Sequence, residues 1–481
     1  MKMVSRCALT IFRGMIVLYC TSGKSADFPE VPFPEGVVKG RGSFPAVRMF
    51  PQETSAAAAV FLCDPFWKKW VLKSPQAFQN HKIKIFFPLM MCRAQRRHIP
   101  IMIWNRGSIY ELRTGNGIHP RGAVGRAQTR PEPHPHPAGR AGRPHKRLRF
   151  VHVAGTNGKG STAAMLASCL QAAGYRVGLF TSPFINRFNE RIQVDGQQIP
   201  DEELVQLVER VQPAADAMTD VPTEFEIITA LGMLYFARKQ CDIVVLEVGL
   251  GGTLDSTNVI ENPECAVITA LGMDHVRELG PTLADIAAAK AGIIKPGCPV
   301  VSYGGVPEAD AVIRRVAAEQ NAPLTEVDFH KLQIDGGDLD AVTFDFDGLD
   351  GVHLPLIGSY QPRNAAVAIT TLRVLRAKGW NVPESAIRTG LETVQWPGRF
   401  ELLRHAPAFL LDGSHNAHGM RATVQSLKDR FPGEKFVFLV SIMADKDVDE
   451  MLQLLAPLAK QFVTVAAHTP RAMPAETLSN T

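Results

Sequence analysis

The sequence predicts an α/β protein of two parts: a central domain built on a parallel sheet with a phosphate-binding loop (P-loop), and a smaller Rossmann-like α/β domain after it that reads as truncated. Three observations carry this. Apolar runs such as "CDIVVLEVG" and "ECAVITALG" are continuous rather than alternating, which marks strands covered on both faces. They alternate with segments of helical period, the pattern of a sheet joined by crossover helices. The run Val151 to Thr162, "VHVAGTNGKGST", sets a glycine-rich loop with one lysine between a strand and a helix.

The elements follow in order from Arg149. "RFVHVAG" reads as a strand, "KGSTAAMLASCLQAAG" as a helix closed by Gly174, and "RVGLFTSP" as the next strand. Helices are expected at "DEELVQLVERV" and "TEFEIITALGMLYFARKQ". Three buried strands come next, "CDIVVLEVG", "ECAVITALG" and "PVVSYG", the last two flanking the helix "TLADIAAAKAGI". A long helix, "QPRNAAVAITTLRVLRAKG", and a shorter one, "PESAIRTGLETV", lead to Trp396, Pro397 and Gly398. The texture then restarts with strands "RFELL" and "AFLLDGSHN", helix "MRATVQSLKDRF", strand "KFVFLVSIM", helix "VDEMLQLLAPLA" and strand "FVTVAAH". The closing "TPRAMPAETLSNT" shows no pattern, so the smaller domain is expected to lack a final helix and strand. The domains are therefore drawn at 146–396 and 397–481.

Residues 1–145 do not match the rest and are read as a disordered or mistranslated segment, since they hold no sustained period of 3.6 or 2 and end in a stretch crowded with Arg, Pro, Gly, Ala and His. Nine arginines and one lysine stand against two acids between Arg106 and Arg149, which accounts for the formal charge of +5. The remainder is close to neutral, so a basic nucleic-acid-binding surface on the folded part is not expected. Eight cysteines without a C-x-x-C pair argue against a thiolate zinc site and a disulfide framework. Arg13 and Gly14 split the apolar start into pieces too short for a secretory h-region, no run is long enough to span a bilayer, and a cytoplasmic location is expected.

In Gly155-Thr156-Asn157-Gly158-Lys159-Gly160-Ser161-Thr162 the small residues let backbone N–H groups face an anion. The dipole of the following helix adds to their field, and Lys159 neutralises charge. The spacing departs from G-x-x-x-x-G-K-[ST], because Val153 occupies the first glycine's place. Glu247 stands where an apolar strand runs out, the edge that faces the ligand crevice in parallel α/β sheets, and a carboxylate there can hold Mg²⁺ beside phosphates. Asp274 and His275 end the next strand. Lys290 lies on an otherwise apolar helix, where a lysine ordinarily snorkels.

These segments, with "TSPFINRFNERI", "LEVGLGGTLDSTNVI", "GMDH" followed by "KAGI", "SYQPRNA", "WPGRFE" and "LDGSHN", resemble in order and spacing the folylpolyglutamate synthases, including the bacterial type that is also a dihydrofolate synthase. This family is part of the Mur ligase superfamily. The resemblance runs from about Lys146 to the end, roughly two thirds of the chain. It implies an ATPase domain whose loop, Gly155 to Thr162, holds the triphosphate of ATP, with Asn364, Arg399 and Asp412 as further nucleotide contacts. It implies a metal-holding set of Ser161, Ser182, Glu247 and His275 for two magnesium ions. Lys159, His275 and Lys290 are the implied catalytic residues, Lys290 matching a lysine that the family carbamylates. His415 and Asp255 border the implied glutamate and folate site.

The implied reaction is ATP-dependent addition of L-glutamate to a folate or to dihydropteroate through an acyl phosphate, with small-molecule partners only, no nucleic acid, no membrane and a monomeric enzyme. Phe184 stands where many members have His after "TSP", Thr253 where Arg is common, and Tyr360 where His often precedes Gln361. Rival readings are a Mur-type peptidoglycan amino-acid ligase, a nucleic-acid-binding ATPase and an inactive product of a damaged gene. "GKGS" rather than "GKT" and the "GGTLDSTN" block favour the folate branch over the first.

Overall fold

The computed structural model describes residues 144–467, 469 and 471–481, together with the backbone of five short strands before them: Ile16–Cys20, Val38–Lys39, Ile101–Asn105, Ser108–Leu112 and His119–Pro120. The expectation of a disordered or mistranslated head otherwise lies outside the described residues.

The central sheet begins with β1 (Phe150–Ala154), buried along its whole length. It continues with β2 (Val177–Phe180), the hairpin β3 (Ile192–Val194) and β4 (Gln197–Gln198), then β5 (Ile243–Glu247), β6 (Cys265–Ile268), β7 (Val300–Ser302) and β8 (Leu324–Glu326). The strand order is β8-β7-β6-β1-β5-β2-β3-β4. Every pair from β8 to β2 is parallel, and the β3/β4 hairpin adds an antiparallel edge. The continuous apolar strands thus lie where the composition requires, between two helical layers. Register sets Glu247 opposite Val153 and Ile268 opposite Ala154, so the carboxyl ends of β5, β1 and β6 emerge together.

Helix α1 (Lys159–Ala172) starts from β1 and is buried almost all round. It is wrapped by the sheet and by two later helices, α7 (Gln361–Ala377) and α8 (Glu384–Thr393), which explains why its sequence carries no polar face. The opposite face of the sheet is covered by α2 (Asp201–Asp216) and α3 (Glu224–Arg238). Helix α3 opens with a capping box: Thr223 Oγ1 accepts from the Glu226 backbone at 3.3 Å while Glu226 accepts from the Thr223 backbone at 2.6 Å. Between β6 and β7 lie the one-turn α4 (Val276–Leu279) and α5 (Leu283–Ala291), and α6 (Pro307–Glu319) precedes β8.

A three-stranded antiparallel sheet, β9 (Leu332–Gly337), β10 (Val342–Phe346) and β11 (Leu349–Leu354), follows β8, an element the sequence reading left without assignment. The smaller domain holds β12 (Glu401–Arg404), β13 (Phe409–Asp412), α9 (Ala417–Arg430), β14 (Phe436–Val440), α10 (Val448–Leu455) and β15 (Ala459–Thr464). β14 and β15 are parallel, and the Ile16–Cys20 backbone lies antiparallel between β13 and β14. Phe400, Leu410, Met420, Phe436 and Phe438 form its core. The tail read as unpatterned is corrected by α11 (Ala475–Asn480), whose Ala475 and Leu478 are buried. No helix of the described residues is long and apolar enough to cross a membrane.

Candidate active site

The loop after β1 is held from outside as well as within. Thr156 and Asn157 donate their backbone N–H groups to the Ala270 carbonyl at 3.0 and 3.1 Å, and Thr269 Oγ1 donates to the Asn157 carbonyl at 2.8 Å. Gly158 adopts a φ of 83°, and a Cβ there would meet Asn364 Oδ1 at 2.5 Å. Glycine is required on both counts. A Cβ on Gly160 would stand 2.8 Å from the Trp396 ring, so the second glycine of "GKGS" makes room for the tryptophan of the linker between the domains. Lys159 Nζ donates to the Thr156 carbonyl at 3.2 Å, inside its own loop. Burial lowers its pKa, an effect that Glu247 and Asp274 oppose.

A cavity of about 290 Å³ opens at the carboxyl ends of β1, β5 and β6 and is closed on its far side by the smaller domain. Most residues singled out from the sequence line it, among them Lys159, Ser161, Ser182, Glu247, His275, Lys290, Asn364, Arg399 and His415. Glu247 Oε2 accepts the Ser182 N–H at 3.0 Å, which ties the end of β5 to the "TSP" turn. Burial raises the pKa of Glu247, and Lys159 works against that rise. His275, at φ 53°, leads into α4 with Asp274 and Glu278 each 3.9 Å from its ring nitrogens.

Lys290 does not snorkel. It is 5% exposed and gives its ammonium to the Gly155 carbonyl at 2.9 Å. Burial first, and then the charge of Lys159, pushes its pKa down to about 7.

Three of the expected residues stand behind the wall rather than in it, a correction to their reading as ligand contacts. Thr162 is wholly buried at the start of α1. Asp255 accepts from Leu250 N at 2.8 Å, Thr257 N at 2.9 Å and Thr257 Oγ1 at 2.5 Å, and Thr257 in turn meets His152 Nε2 at 2.8 Å. Its carboxylate shapes the Gly249–Gly252 loop. Asp412 accepts from Phe400 N, Ser414 N and Thr423 Oγ1, which fixes the backbone on either side of Arg399 and His415.

Of the departures from the family pattern, Thr253 donates to the Ala289 carbonyl through both backbone and side chain, Phe184 lies under the Arg191 guanidinium at 5.2 Å, and Tyr360 lines the cavity.

The sequence reading missed the seam itself. Asn157 Nδ2 donates to His418 Nδ1 at 2.6 Å, and Asn157 and Asn416 exchange amide bonds at 3.3 Å. Asn416 also donates to Asp274 at 2.8 Å, and Lys446 reaches the same carboxylate at 2.8 Å. Burial alone would raise the Asp274 pKa, yet His275, Lys446 and Asn416 hold it below the usual carboxylate range. Asn416 stands in the "LDGSHN" motif. Lys446 sits in "MADKDVD", which in one dimension is indistinguishable from a solvated charged turn.

The arrangement suits a nucleotide with a hard cation. Among the described residues no cluster of three His, Cys, Asp or Glu side chains forms a metal cage. One buried carboxylate and serine hydroxyls beside a phosphate loop are instead what magnesium needs when phosphates and water complete its shell.

Comparison with known proteins agrees as to the nucleotide. Residues 153–372 match the Mur ligase middle domain and residues 398–481 the Mur ligase, glutamate ligase domain. A dihydrofolate synthase/folylpolyglutamate synthase of Bacillus subtilis is 41% identical over 350 residues, covering 70% of this chain and 81% of its own. A folylpolyglutamate synthase of Lacticaseibacillus casei is also 41% identical, over 69% of this chain and 80% of its own. Its apo structure superimposes with a TM-score of 0.64 at 37% identity, covering 70% and 84% of the two chains. A solved complex of such a synthase with AMPPCP and folate gives 0.62 at 40% identity, covering 66% and 80%.

Proposed function

The chain belongs to the folylpolyglutamate synthase/dihydrofolate synthase family of the Mur ligase superfamily, and from that premise we propose that it is an ATP-dependent ligase that adds L-glutamate to a folate, to dihydropteroate, or to both. The observation that carries the reading is one cavity in which the phosphate loop and Glu247 of the central domain face Arg399 and His415 of the smaller one. An ATP site that spans the two domains, with His415 of the smaller one beside the place for the incoming amine, suits a reaction in two steps.

A carboxylate is a poor acylating agent because its oxygen leaves badly. Transfer of the γ-phosphoryl group of ATP to that oxygen gives an acyl phosphate. The amine of glutamate then attacks the carbonyl carbon, the bond to phosphate breaks, and an amide and inorganic phosphate result. Phosphoryl transfer asks the protein mainly for alignment and charge neutralisation. Lys159 and the backbone N–H groups of its loop supply both, with Asn364 and Arg399 holding the rest of the nucleotide. Magnesium, as two ions, would be held by Ser161, Ser182, Glu247 and His275, and it supplies further neutralisation of phosphate charge. The smaller domain closes over the site and keeps water from the acyl phosphate.

Lys290 suits carbamylation, since a lysine with a pKa of about 7 offers a neutral amine near neutral pH. Its nitrogen bonds to the carbon of CO₂ and releases a proton, which replaces a cation by an anion at the cavity wall. Magnesium, L-glutamate, a monomeric state and a cytoplasmic location belong to the same proposal.

The deciding experiment supplies purified protein, ATP and magnesium with L-glutamate and one of three acceptors: dihydropteroate, a tetrahydrofolate glutamate or a UDP-muramyl peptide. Acceptor-dependent phosphate release with either of the first two is expected. Turnover with the muramyl peptide alone would reject the folate reading.

A further inference from the structure

The strongest feature outside the expected set is a buried ion pair across the domain seam. Asp274 lies at the end of the β6 loop of the central domain, and Lys446 lies in the turn between β14 and α10 of the smaller one. Their side chains are 9% and 11% exposed and meet at 2.8 Å. This is not a surface pair, where two long side chains in water contribute little. Lys446 is also fixed at its base: its N–H donates to the Met443 carbonyl at 3.1 Å, and the next residue, Asp447, caps α10 through the Glu450 N–H. On the other side of Asp274, Asn416 binds the second carboxylate oxygen and caps α9 through the Gly419 N–H at 2.7 Å. Asp274 is therefore gripped by the ends of two helices of the smaller domain. Asn416 carries the grip on to Asn157 of the phosphate loop.

We propose that Lys446 is a positioning residue for amide formation: by holding Asp274 across the seam it seats the smaller domain, with His415 and His418, against the phosphate loop, so that the acyl phosphate meets the incoming amine rather than water. The inference rests on the ligase reading above. Lys446 need touch neither ATP nor acceptor for this role. Without its charge the Asp274 carboxylate remains buried with one partner fewer, and the closed seam loses its strongest link. When closure is loose, water attacks the acyl phosphate. A bond from the water oxygen to the carbonyl carbon forms, the bond to phosphate breaks, and the water protons pass to phosphate and the medium. ATP is then consumed with no amide made.

The test uses the full chain as wild type, Lys446→Met and Lys446→Arg. Three quantities are read: affinity for a non-hydrolysable ATP analogue with magnesium, the KM for L-glutamate, and phosphate released per amide formed. For Lys446→Met we expect nucleotide affinity within about twofold of wild type, a glutamate KM raised about tenfold, the span of a modest coupling between sites, and a phosphate-to-amide ratio above one. Lys446→Arg keeps the charge and should restore the ratio and most of the KM.

A methionine variant with wild-type KM and a ratio of one overturns the inference. So does one that loses nucleotide affinity as much as it loses glutamate affinity, since that is plain misfolding. Wild type with no acceptor-dependent phosphate release would instead remove the ligase reading itself.

Discussion

Lys290 shows how one buried group sets both stability and chemistry. Its pKa falls from 10.5 to about 7 on folding, because burial disfavours the ammonium and Lys159 adds to the effect. Between those two pH values the unfolded chain holds a proton that the folded chain has released, so stability rises with pH across the window. The rise contributed by Lys290 is about 2 kcal/mol from pH 7 to pH 9. In bicarbonate-free buffer, Lys290→Met should lack this rise, be more stable than wild type at pH 7, approach it as the pH nears 10, and have lost turnover. Thermal melts of the two proteins at matched pH check the prediction. Parallel curves across the window would show that Lys290 is not held neutral by the fold. Periodicity alone reads this residue as snorkelling; only the resemblance pointed elsewhere, because the carbonyl it bonds, Gly155, is 135 positions away in sequence.

At the scale of the element, most of what positions the site was legible. The strands β1, β5 and β6 are apolar from end to end, and the phosphate loop announces itself by its glycines and lysine. What was not legible is how elements meet. The β9 to β11 sheet escaped because β9 is exposed along most of its length and holds Gly336 and Gly337, although the alternation of buried and half-buried residues in β10 was there to be read. The contact of Gly160 with Trp396 was likewise hidden, since each stood in a motif of its own. It makes a prediction. Gly160→Ala sets a methyl group against an aromatic ring that is itself packed, and overpacking of this kind costs about 1–3 kcal/mol. The strain falls on the first turn of α1, so affinity for an ATP analogue should drop about tenfold, the equivalent of about 1.4 kcal/mol. Exchanging Trp396 for leucine in the same chain should recover most of it. A double-mutant cycle measures the coupling directly, and additive losses would show that the two residues do not share the space.

For the molecule as a whole, the seam beside the phosphate loop is polar, carried by Asn157, Asp274, Asn416, His418 and Lys446, while Ile185 packs against Phe409 and Leu411 elsewhere along it, and a link with so large a polar share opens and closes more readily than an apolar core. The chain crosses between domains once within the described residues after α8, through Trp396 and Pro397 to Arg399 and Phe400. Arg399 faces the cavity, Phe400 is fully buried, and the Phe400 N–H is bound to Asp412 at 2.8 Å. Trypsin therefore reaches the peptide bond after Arg399 only when the smaller domain swings away. Nucleotide that bridges the loop and Arg399 is held by the loop in both forms and more tightly in the closed one, and at saturation it reduces the population of the open form by the ratio of the two affinities. Cleavage after Arg399, followed by mass spectrometry under conditions where reclosing outpaces cutting, should slow by about the same factor on addition of an ATP analogue and magnesium. An unchanged rate would mean either that the nucleotide does not span the domains or that the seam stays shut without it. A second measurement separates these, because Lys446→Met weakens the seam and must accelerate cleavage in the absence of nucleotide if opening is what the protease detects.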